Sequence, residues 1–327
     1  MSPERRVFFV VAAVAAAAAA LVVGVVAIQS DGHEGDVDEP RAPAPRAGSP
    51  PLSLDLGLRN DPEARALRQA LRLYDEGKRV RARTMFARYP ALEAKVGKAF
   101  ASWPNGTVER MGQLAALHPR SALVQLNLGI ALYWADRPGA EQAWREAADV
   151  EPDTPYAVTA GNLLYPTFVR NLPVFVPEES LPRTIAALSG RPAAQLRALR
   201  NAARAGRTVD KLFYGVALQR LGRPLAARRV YAEAAMSAPG NPEAQVADAV
   251  GHFEKAQPAE AFSRLGPLAR RFPHAATVRF HLGLLLLWSG ELKEAKRQLR
   301  LARASEPPSP LARQAARYLQ ELASARS

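Results

Sequence analysis

Residues 214–239 read YGVALQRLGRPLAARRVYAEAAMSAP, and the landmarks of this stretch recur twice more toward the C-terminus at an interval of 34 residues. Five columns keep the interval: Gly215, Ala249 and Gly283; Ala227, Ala261 and Ala295; Tyr231, Leu265 and Leu299; Ala234, Leu268 and Ala302; and Pro239, Pro273 and Pro307. A period of this length is typical of stacked helical hairpins rather than of one globular core. The sequence therefore predicts an all-α solenoid.

The residues inside one unit support a pair of helices. Ala227, Tyr231 and Ala234 are spaced i, i+4, i+7, which places them on one stripe of a second helix. Gly222 and Gly290 stand between the two helices, where a positive φ lets the first helix end. The proline that closes each unit cannot continue a helix. Each unit is thus expected to be a helix A, a short turn and a helix B.

The order of the landmarks, a small residue followed 12, 4, 3 and 5 residues later by the other columns, resembles the tetratricopeptide repeat (TPR) family. That resemblance implies a right-handed TPR-type α-solenoid in which a small residue of helix A faces a small residue of helix B. Gly215 and Gly283 hold this position in helix A. A glycine inside a helix costs about 1 kcal/mol relative to alanine. We therefore expect close helix packing at both glycines to outweigh that cost.

The organisation that we expect has three parts. From the N-terminus these are a cytoplasmic stub and transmembrane anchor at 1–29, a proline-rich disordered linker at 30–58, and the solenoid at 59–327. The solenoid is expected to contain irregular repeats at 59–153, an interrupted repeat at 154–207 with an insertion at 166–189, regular repeats at 208–309, and a capping helix at 310–325. A polar outer face on that last helix would cover the end of the stack.

The predicted anchor is Val7–Ile28, an uncharged and mostly apolar stretch long enough to cross a bilayer as a helix. Arg5 and Arg6 precede it and no basic residue follows until Arg41, so the positive-inside rule predicts a cytoplasmic N-terminus and an extracytoplasmic C-terminal domain. A cleavable signal peptide is the alternative, although its apolar core is normally shorter. The excess of arginine over lysine is typical of a G+C-rich bacterial coding sequence. We therefore expect a single-pass bacterial membrane protein.

Composition argues against catalysis. The chain has no cysteine, which excludes disulfides and thiol chemistry. Its five histidines are scattered without metal-ligand spacing, and we interpret each as a surface or packing residue: His33, His118, His252, His274 and His281. Motifs of the forms HExxH, GxSxG and GxGxxG are absent. We predict no enzyme activity, cofactor, metal or small-molecule substrate. The net charge of +13 comes without a basic block, so it favours an anionic membrane surface or an acidic partner over nucleic acid.

The TPR resemblance implies a ligand surface on the concave side, lined by fixed positions of helix A. Carried over to this sequence, those positions are mostly apolar and form the predicted partner-binding groove: Leu126, Ile130, Tyr133, Trp134, Leu212, Val216, Val250, Phe253, Phe280, Leu284, Leu287 and Trp288. The same positions also include Gln219 and Glu243. An exposed apolar groove marks a binding surface, whereas tight curvature or the insertion could instead bury it.

Aliphatic residues in the groove favour a polypeptide partner. The predicted function is a protein–protein interaction scaffold or assembly factor on the outer side of the cytoplasmic membrane. Fold alone names no partner. The alternative is a glycan-binding accessory module for cell-wall or polysaccharide machinery.

The insertion contains the sequence TFVRNLPVFVPEESLPR at 167–183, whose prolines exclude a helix or a central strand. It is nevertheless too apolar for a solvated linker. It either covers the outside of its own repeat or enters the concave groove. We hypothesise the second arrangement, a built-in pseudo-ligand near Tyr133 and Trp134, with Phe168, Phe175 and Val176 inaccessible and in contact with helix A residues.

Overall fold

The computed structural model describes residues 46, 48–305, 307 and 309–324. In this part of the chain the regular secondary structure is α-helix alone, in sixteen segments, so the all-α prediction is confirmed there. The described residues divide into two compact units. The N-terminal unit ends at Pro152 and also takes in residues 159–164, and the C-terminal unit comprises residues 153–158 and 165–324. Helix α7 (Pro155–Leu164) contributes residues to both.

The N-terminal unit consists of three helical hairpins. Its helices are α1 (Pro62–Asp75), α2 (Arg79–Phe86), α3 (Leu92–Phe100), α4 (Thr107–Leu117), α5 (Ala122–Trp134) and α6 (Ala140–Val150). Each helix packs on the next one along the chain, and the first helix of each hairpin also contacts the first helix of the following hairpin, α1 with α3 and α3 with α5. The helices A therefore lie side by side in this unit.

The C-terminal unit repeats the same arrangement. Its helices are α8 (Arg183–Ala186), α9 (Pro192–Arg204), α10 (Thr208–Arg220), α11 (Pro224–Ser237), α12 (Pro242–Gly251), α13 (Ala259–Arg271), α14 (Ala276–Trp288), α15 (Leu292–Ser305) and α16 (Pro310–Ser324). Contacts between α10 and α12, α12 and α14, and α14 and α16 again line up the first helices of successive pairs.

Local sequence signals place the helix ends. Asp61 and Asn241 cap α1 and α12, because each side chain accepts a hydrogen bond from the backbone N–H three residues later, at 2.9 and 3.0 Å, and a proline follows each cap. Gly222 and Gly290 end α10 and α14 with φ angles of 65° and 80°. The prediction that these glycines terminate helix A is confirmed. Residues other than glycine rarely adopt this left-handed backbone conformation.

The 34-residue columns form the core between paired helices. The side chains of Tyr231, Leu265 and Leu299 are fully buried. Gly283 lies against Leu299, and a Cβ built on it would stand 2.9 Å from Leu299 Cγ and 3.3 Å from the carbonyl oxygen of Ala295. A Cβ on Gly215 would overlap the ring of Tyr231. Each helix A glycine thus makes room for the large side chain of helix B, which explains why glycine recurs despite its low helix propensity.

The predicted transmembrane anchor, Val7–Ile28, lies outside the described residues, as does the linker up to residue 45. Within the described ranges no helix has both the length and the apolar character needed to cross a membrane.

Candidate functional site

Eleven of the twelve predicted groove residues are buried, and only Tyr133 keeps a half-exposed side chain. Leu126 and Phe280, for example, have no accessible surface. These positions lie where one helix A meets its neighbours, so their side chains fill the core rather than line an open groove. The surface beside them is formed by α1, α3 and α5 in one unit, which we call the N-terminal face. The corresponding surface of α10, α12 and α14 is the C-terminal face.

The C-terminal face is occupied by the insertion. Gln219 on α10 contacts the backbone of the insertion with both ends of its carboxamide: Oε1 accepts a hydrogen bond from Phe175 N at 2.9 Å, and Nε2 donates to Pro173 O at 3.3 Å. The hydroxyl of Tyr231 donates to the same Oε1 at 2.8 Å, which fixes the orientation of the carboxamide. Gln219 therefore holds an extended stretch of chain across α10.

A buried histidine binds the next residue of the insertion. His281 on α14 accepts a hydrogen bond at Nε2 from Val176 N at 2.9 Å, while its Nδ1 lies 2.7 Å from Thr277 O. A carbonyl oxygen can only accept, so Nδ1 carries the proton and Nε2 is the acceptor. Burial lowers the pKa of His281 to about 4, and the bond to Thr277 O opposes this shift. The imidazole is consequently neutral near pH 7.

Phe175 is the main apolar anchor of the insertion, with only 1 % of its surface accessible. Its ring stacks on the His281 ring at 4.7 Å between centroids and an interplanar angle of 15°. The ring of Tyr231 meets it edge-on at 5.8 Å. These are favourable aromatic geometries. Phe175 therefore occupies a pocket between His281 on α14, a helix A, and Tyr231 on α11, a helix B.

The insertion is bound at a third point by α12. Glu243 Oε1 accepts a hydrogen bond from Glu178 N at 2.6 Å. Burial raises the pKa of the Glu243 carboxyl, and the charge of Glu179 adds to this, whereas the bond from Glu178 N lowers it. Helices α10, α12 and α14 thus each supply one polar side chain to the backbone of residues 173–178.

The expected contact between the insertion and helices A is therefore present, but at a different place. Phe175 is buried as expected, whereas Phe168 and Val176 are half-buried. The hydrogen bonds lie on α10, α12 and α14, and Tyr133 and Trp134 have a different neighbour, described below. The hypothesis placed the segment wrongly because apolar groove positions occur in every repeat and do not distinguish one face from another.

The N-terminal face is also occupied, by residue 46 and residues 48–56. Asn127 on α5 binds both backbone groups of Ser53: Oδ1 accepts from Ser53 N at 3.0 Å and Nδ2 donates to Ser53 O at 2.8 Å. The same Nδ2 donates to Leu123 O at 2.8 Å, and Asn127 is fully buried. A single carboxamide thus pairs with an extended residue in the way a neighbouring strand would.

Two further donors bind this N-terminal segment. The hydroxyl of Tyr74 donates to Pro50 O at 2.6 Å, and the indole Nε1 of Trp103 donates to Gly48 O at 3.0 Å. The segment's Leu52 and Leu56 side chains are buried, at 8 % and 6 % exposure. Residues 48–56 are therefore part of the folded unit.

Arg46 covers the one half-exposed groove residue. Its guanidinium carbon lies 3.7 Å from the centre of the Tyr133 ring, and its backbone N–H donates to Trp134 O at 2.9 Å. A cation over an aromatic face is a stabilising contact. The expectation of a disordered linker through residue 58 is thus corrected for residue 46 and residues 48–58, which the N-terminal face orders.

No ligand role was predicted for Asn127 or His281, and Gln219 and Glu243 were predicted only as positions that correspond to the concave surface of TPR proteins. A usable signal was present, because Asn127 and His281 interrupt the apolar runs of α5 and α14. A buried polar side chain within an apolar helix needs a partner. In the described part of the chain, no group of three or more His, Cys, Asp or Glu side chains could hold a metal ion.

No protein-family model and no curated protein matches this sequence. Solved structures similar to it include YrrB, described as a TPR protein with an unusual peptide-binding site, a tetratricopeptide repeat protein from Parabacteroides merdae, and yeast Tom70. Sequence identities are 15%, 11% and 12%, and TM-scores are 0.30, 0.34 and 0.34. The matches cover 64%, 80% and 86% of this chain and 99%, 98% and 53% of those chains. Two of these neighbours are TPR proteins by their descriptions, the class that the 34-residue columns resemble.

Proposed function

We propose that this chain is a non-enzymatic scaffold that binds an extended segment of a partner protein along its helix A faces. The observation that supports this best is that each face already holds an extended stretch of polypeptide through a carboxamide, Asn127 in one unit and Gln219 in the other. Hydrogen bonds to a main chain give affinity that is independent of sequence, and adjacent pockets add specificity. A segment from another protein can use the same groups.

The faces give less support to glycan binding. Carboxamides that could contact sugar hydroxyls are here engaged with backbone groups, and most predicted groove side chains are buried between helices. The polypeptide is therefore the better supported ligand class.

We further propose that the scaffold is displayed on the outer side of the cytoplasmic membrane as part of envelope or secretion machinery. This rests on the uncharged stretch Val7–Ile28 and on Arg5 and Arg6 before it. A helix of that length spans the hydrocarbon layer. A tethered scaffold holds its partner close to the membrane, which raises the partner's local concentration.

Site-specific photo-crosslinking in intact membranes tests the binding function. A photoreactive residue is placed at Tyr133 beside the N-terminal face and at Arg220 at the end of α10. The control position is Met236 on α11, a helix B residue with 74% exposure. We expect both face positions to give protein adducts whose cross-linked partner peptides map to an extended stretch. Adducts at Met236 alone would contradict the proposal, and glycan adducts at the face positions would favour the alternative.

A further inference from the structure

The following inference rests on the proposed function and specifies its ligand. We propose that the insertion is a self-ligand on the C-terminal face, and that the partner is an extended segment of the same chemistry that takes the place of residues 173–178. Such a segment carries a proline and, two residues later, an aromatic side chain flanked by aliphatic residues.

Polar side chains of the helices bind the insertion through its backbone. Gln219, His281 and Glu243 contact Pro173 O and the N–H groups of Phe175, Val176 and Glu178. Any polypeptide that adopts the same backbone conformation, with residues other than proline at the three N–H positions, offers these groups at the same spacing. The three acceptors and one donor therefore form a site for a chain of defined direction rather than contacts peculiar to residues 173–178.

The pocket and the core beside the insertion restrict the side chains that a partner segment can carry. The pocket between His281 and Tyr231 holds the Phe175 ring in stacked and edge-on contacts, so an aromatic residue is required there. Pro173 is buried, and a proline at that position leaves no backbone N–H without a partner. Val174 and Val176 are half-buried and pack on the same core. The spacing Pro-x-aromatic with aliphatic neighbours follows from these contacts.

The insertion can leave without dismantling the helices. Helix α12 contacts both α10 and α14 directly. Before the bound stretch Pro166, Thr167, Arg170 and Asn171 are exposed, whereas Val169 is buried and Phe168 and Leu172 pack on the same core. Glu179 and Ser180 after it are exposed. The insertion is thus held at separate buried points with exposed residues between and beyond them. A competing segment gains the same points of attachment.

A tethered segment competes at an effective concentration of about millimolar, so a free peptide of equal affinity displaces it poorly. Weakening the tethered segment by removing its aromatic anchor should therefore expose the site. Because a truncated phenylalanine leaves the pocket empty, the free peptide should bind at least tenfold more tightly to a chain that lacks the Phe175 ring.

The test uses the full chain in detergent and a labelled peptide with the sequence of residues 169–180, VRNLPVFVPEES. The protein variants are Phe175→Ala and, as a matched control in the exposed flank, Thr167→Ala. We expect the Phe175→Ala chain to bind the peptide at least tenfold more tightly than the wild-type and Thr167→Ala chains. A second peptide with alanine for the phenylalanine should lose this binding. Equal binding by Phe175→Ala and Thr167→Ala, or equal binding of both peptides, overturns the proposal.

A measurement on the unmodified chain keeps the proposal testable if Phe175→Ala fails to fold. Peptide supplied well above the effective concentration of about millimolar should outcompete the tethered segment and accelerate hydrogen exchange at the Phe175 and Val176 amides, while the amides of α14 stay protected. Unchanged exchange at these two amides contradicts displacement. Dimers formed by exchange of the insertion between copies would identify a second copy as the occupant and would also overturn the proposal.

The two proposals fail separately. If face positions cross-link a partner polypeptide but the Phe175→Ala chain does not bind the peptide, only the self-ligand inference is wrong. If neither result is obtained, the scaffold function is wrong as well.

Discussion

The absence of a side chain at Gly283 allows α14 and α15 to pack closely against each other. Replacement by leucine would push a branched side chain into Leu299, whose Cγ is 2.9 Å from an ideal Cβ. We expect Gly283→Leu to lower the free energy of unfolding by about 1–3 kcal/mol or more. Chemical denaturation of the purified chain measures this change.

The control for this overpacking is Gly240→Leu, in the turn between two repeats. No atom lies within 4 Å of a Cβ built at Gly240, so the same substitution should change stability by about 0.5 kcal/mol at most. Equal destabilisation by the two variants would show that the close approach at Gly283 is not the cause.

His281 makes the stability of the C-terminal unit depend on pH. Its pKa is about 4 in the folded chain against an ordinary 6.5, because burial disfavours the charged ring. The unfolded chain therefore binds more protons between these values, and stability rises with pH there. The stability that the neutral His281 ring allows is fully present above about pH 6.5 and is lost as pH falls toward 4. The free energy of unfolding falls by about 3 kcal/mol over this range.

Denaturant unfolding at a series of pH values, compared between two variants, isolates this effect. His281→Gln removes the titrating ring and should flatten the pH dependence between 4 and 6.5. His274→Gln, in the exposed turn after α13, should keep the wild-type dependence. Identical pH profiles for both variants would rule out His281 as the cause.

Among the elements, the helices could be predicted and the two extended segments only partly. Helix positions follow from local periodicity, and the register of the last three hairpins follows from columns such as Tyr231, Leu265 and Leu299, which recur in the sequence itself. The insertion was recognised as packed from its composition. Its binding site could not be predicted, because the residues that bind it, Gln219, Glu243 and His281, follow their partners in the insertion by 44 to 105 positions.

Residues 48–58 show why a proline-rich segment is easily misinterpreted. Proline and the lack of helical periodicity predict a solvated tether. The segment is instead held by Asn127, which lies 74 residues from Ser53 in the sequence. A local sequence pattern cannot predict a partner at that distance. The alternation of Leu52, Leu54 and Leu56 was the one available hint, since it matches an extended segment with one apolar side.

Removal of this segment should weaken the N-terminal unit alone. A fragment that begins at residue 59 lacks the buried side chains of Leu52 and Leu56, each contributing about 1.5–3 kcal/mol. We expect amide hydrogen exchange in α1, α3 and α5 to be faster in this fragment than in one that begins at residue 46.

Helices α10, α12 and α14 provide the internal control in the same experiment, because residue 46 and residues 48–58 belong to the other unit. Their exchange should not change between the two fragments. Unchanged exchange in α1, α3 and α5 would mean that the segment contributes nothing to that unit.

For the whole molecule, the proposed topology depends on the charges that flank Val7–Ile28. Basic residues precede this stretch and acidic residues follow it, which favours an inside N-terminus. We expect an alkaline phosphatase fused after Ser327 to be active in bacterial cells, and the mature chain to begin near Met1. An inactive fusion would contradict the orientation, and an N-terminus beyond Ile28 would identify a cleaved signal peptide.

Each docked segment is made before its docking site. Because synthesis starts at the N-terminus, Ser53 is made 74 residues before Asn127, and Val176 is made 105 residues before His281. Contacts between residues so far apart in the sequence form late, and they make folding slow. During that interval both apolar segments are unprotected, so nascent chains expose the sequences that the finished molecule hides. The moment of synthesis is therefore when this protein is most open to capture by chaperones, and to errors of pairing between neighbouring copies.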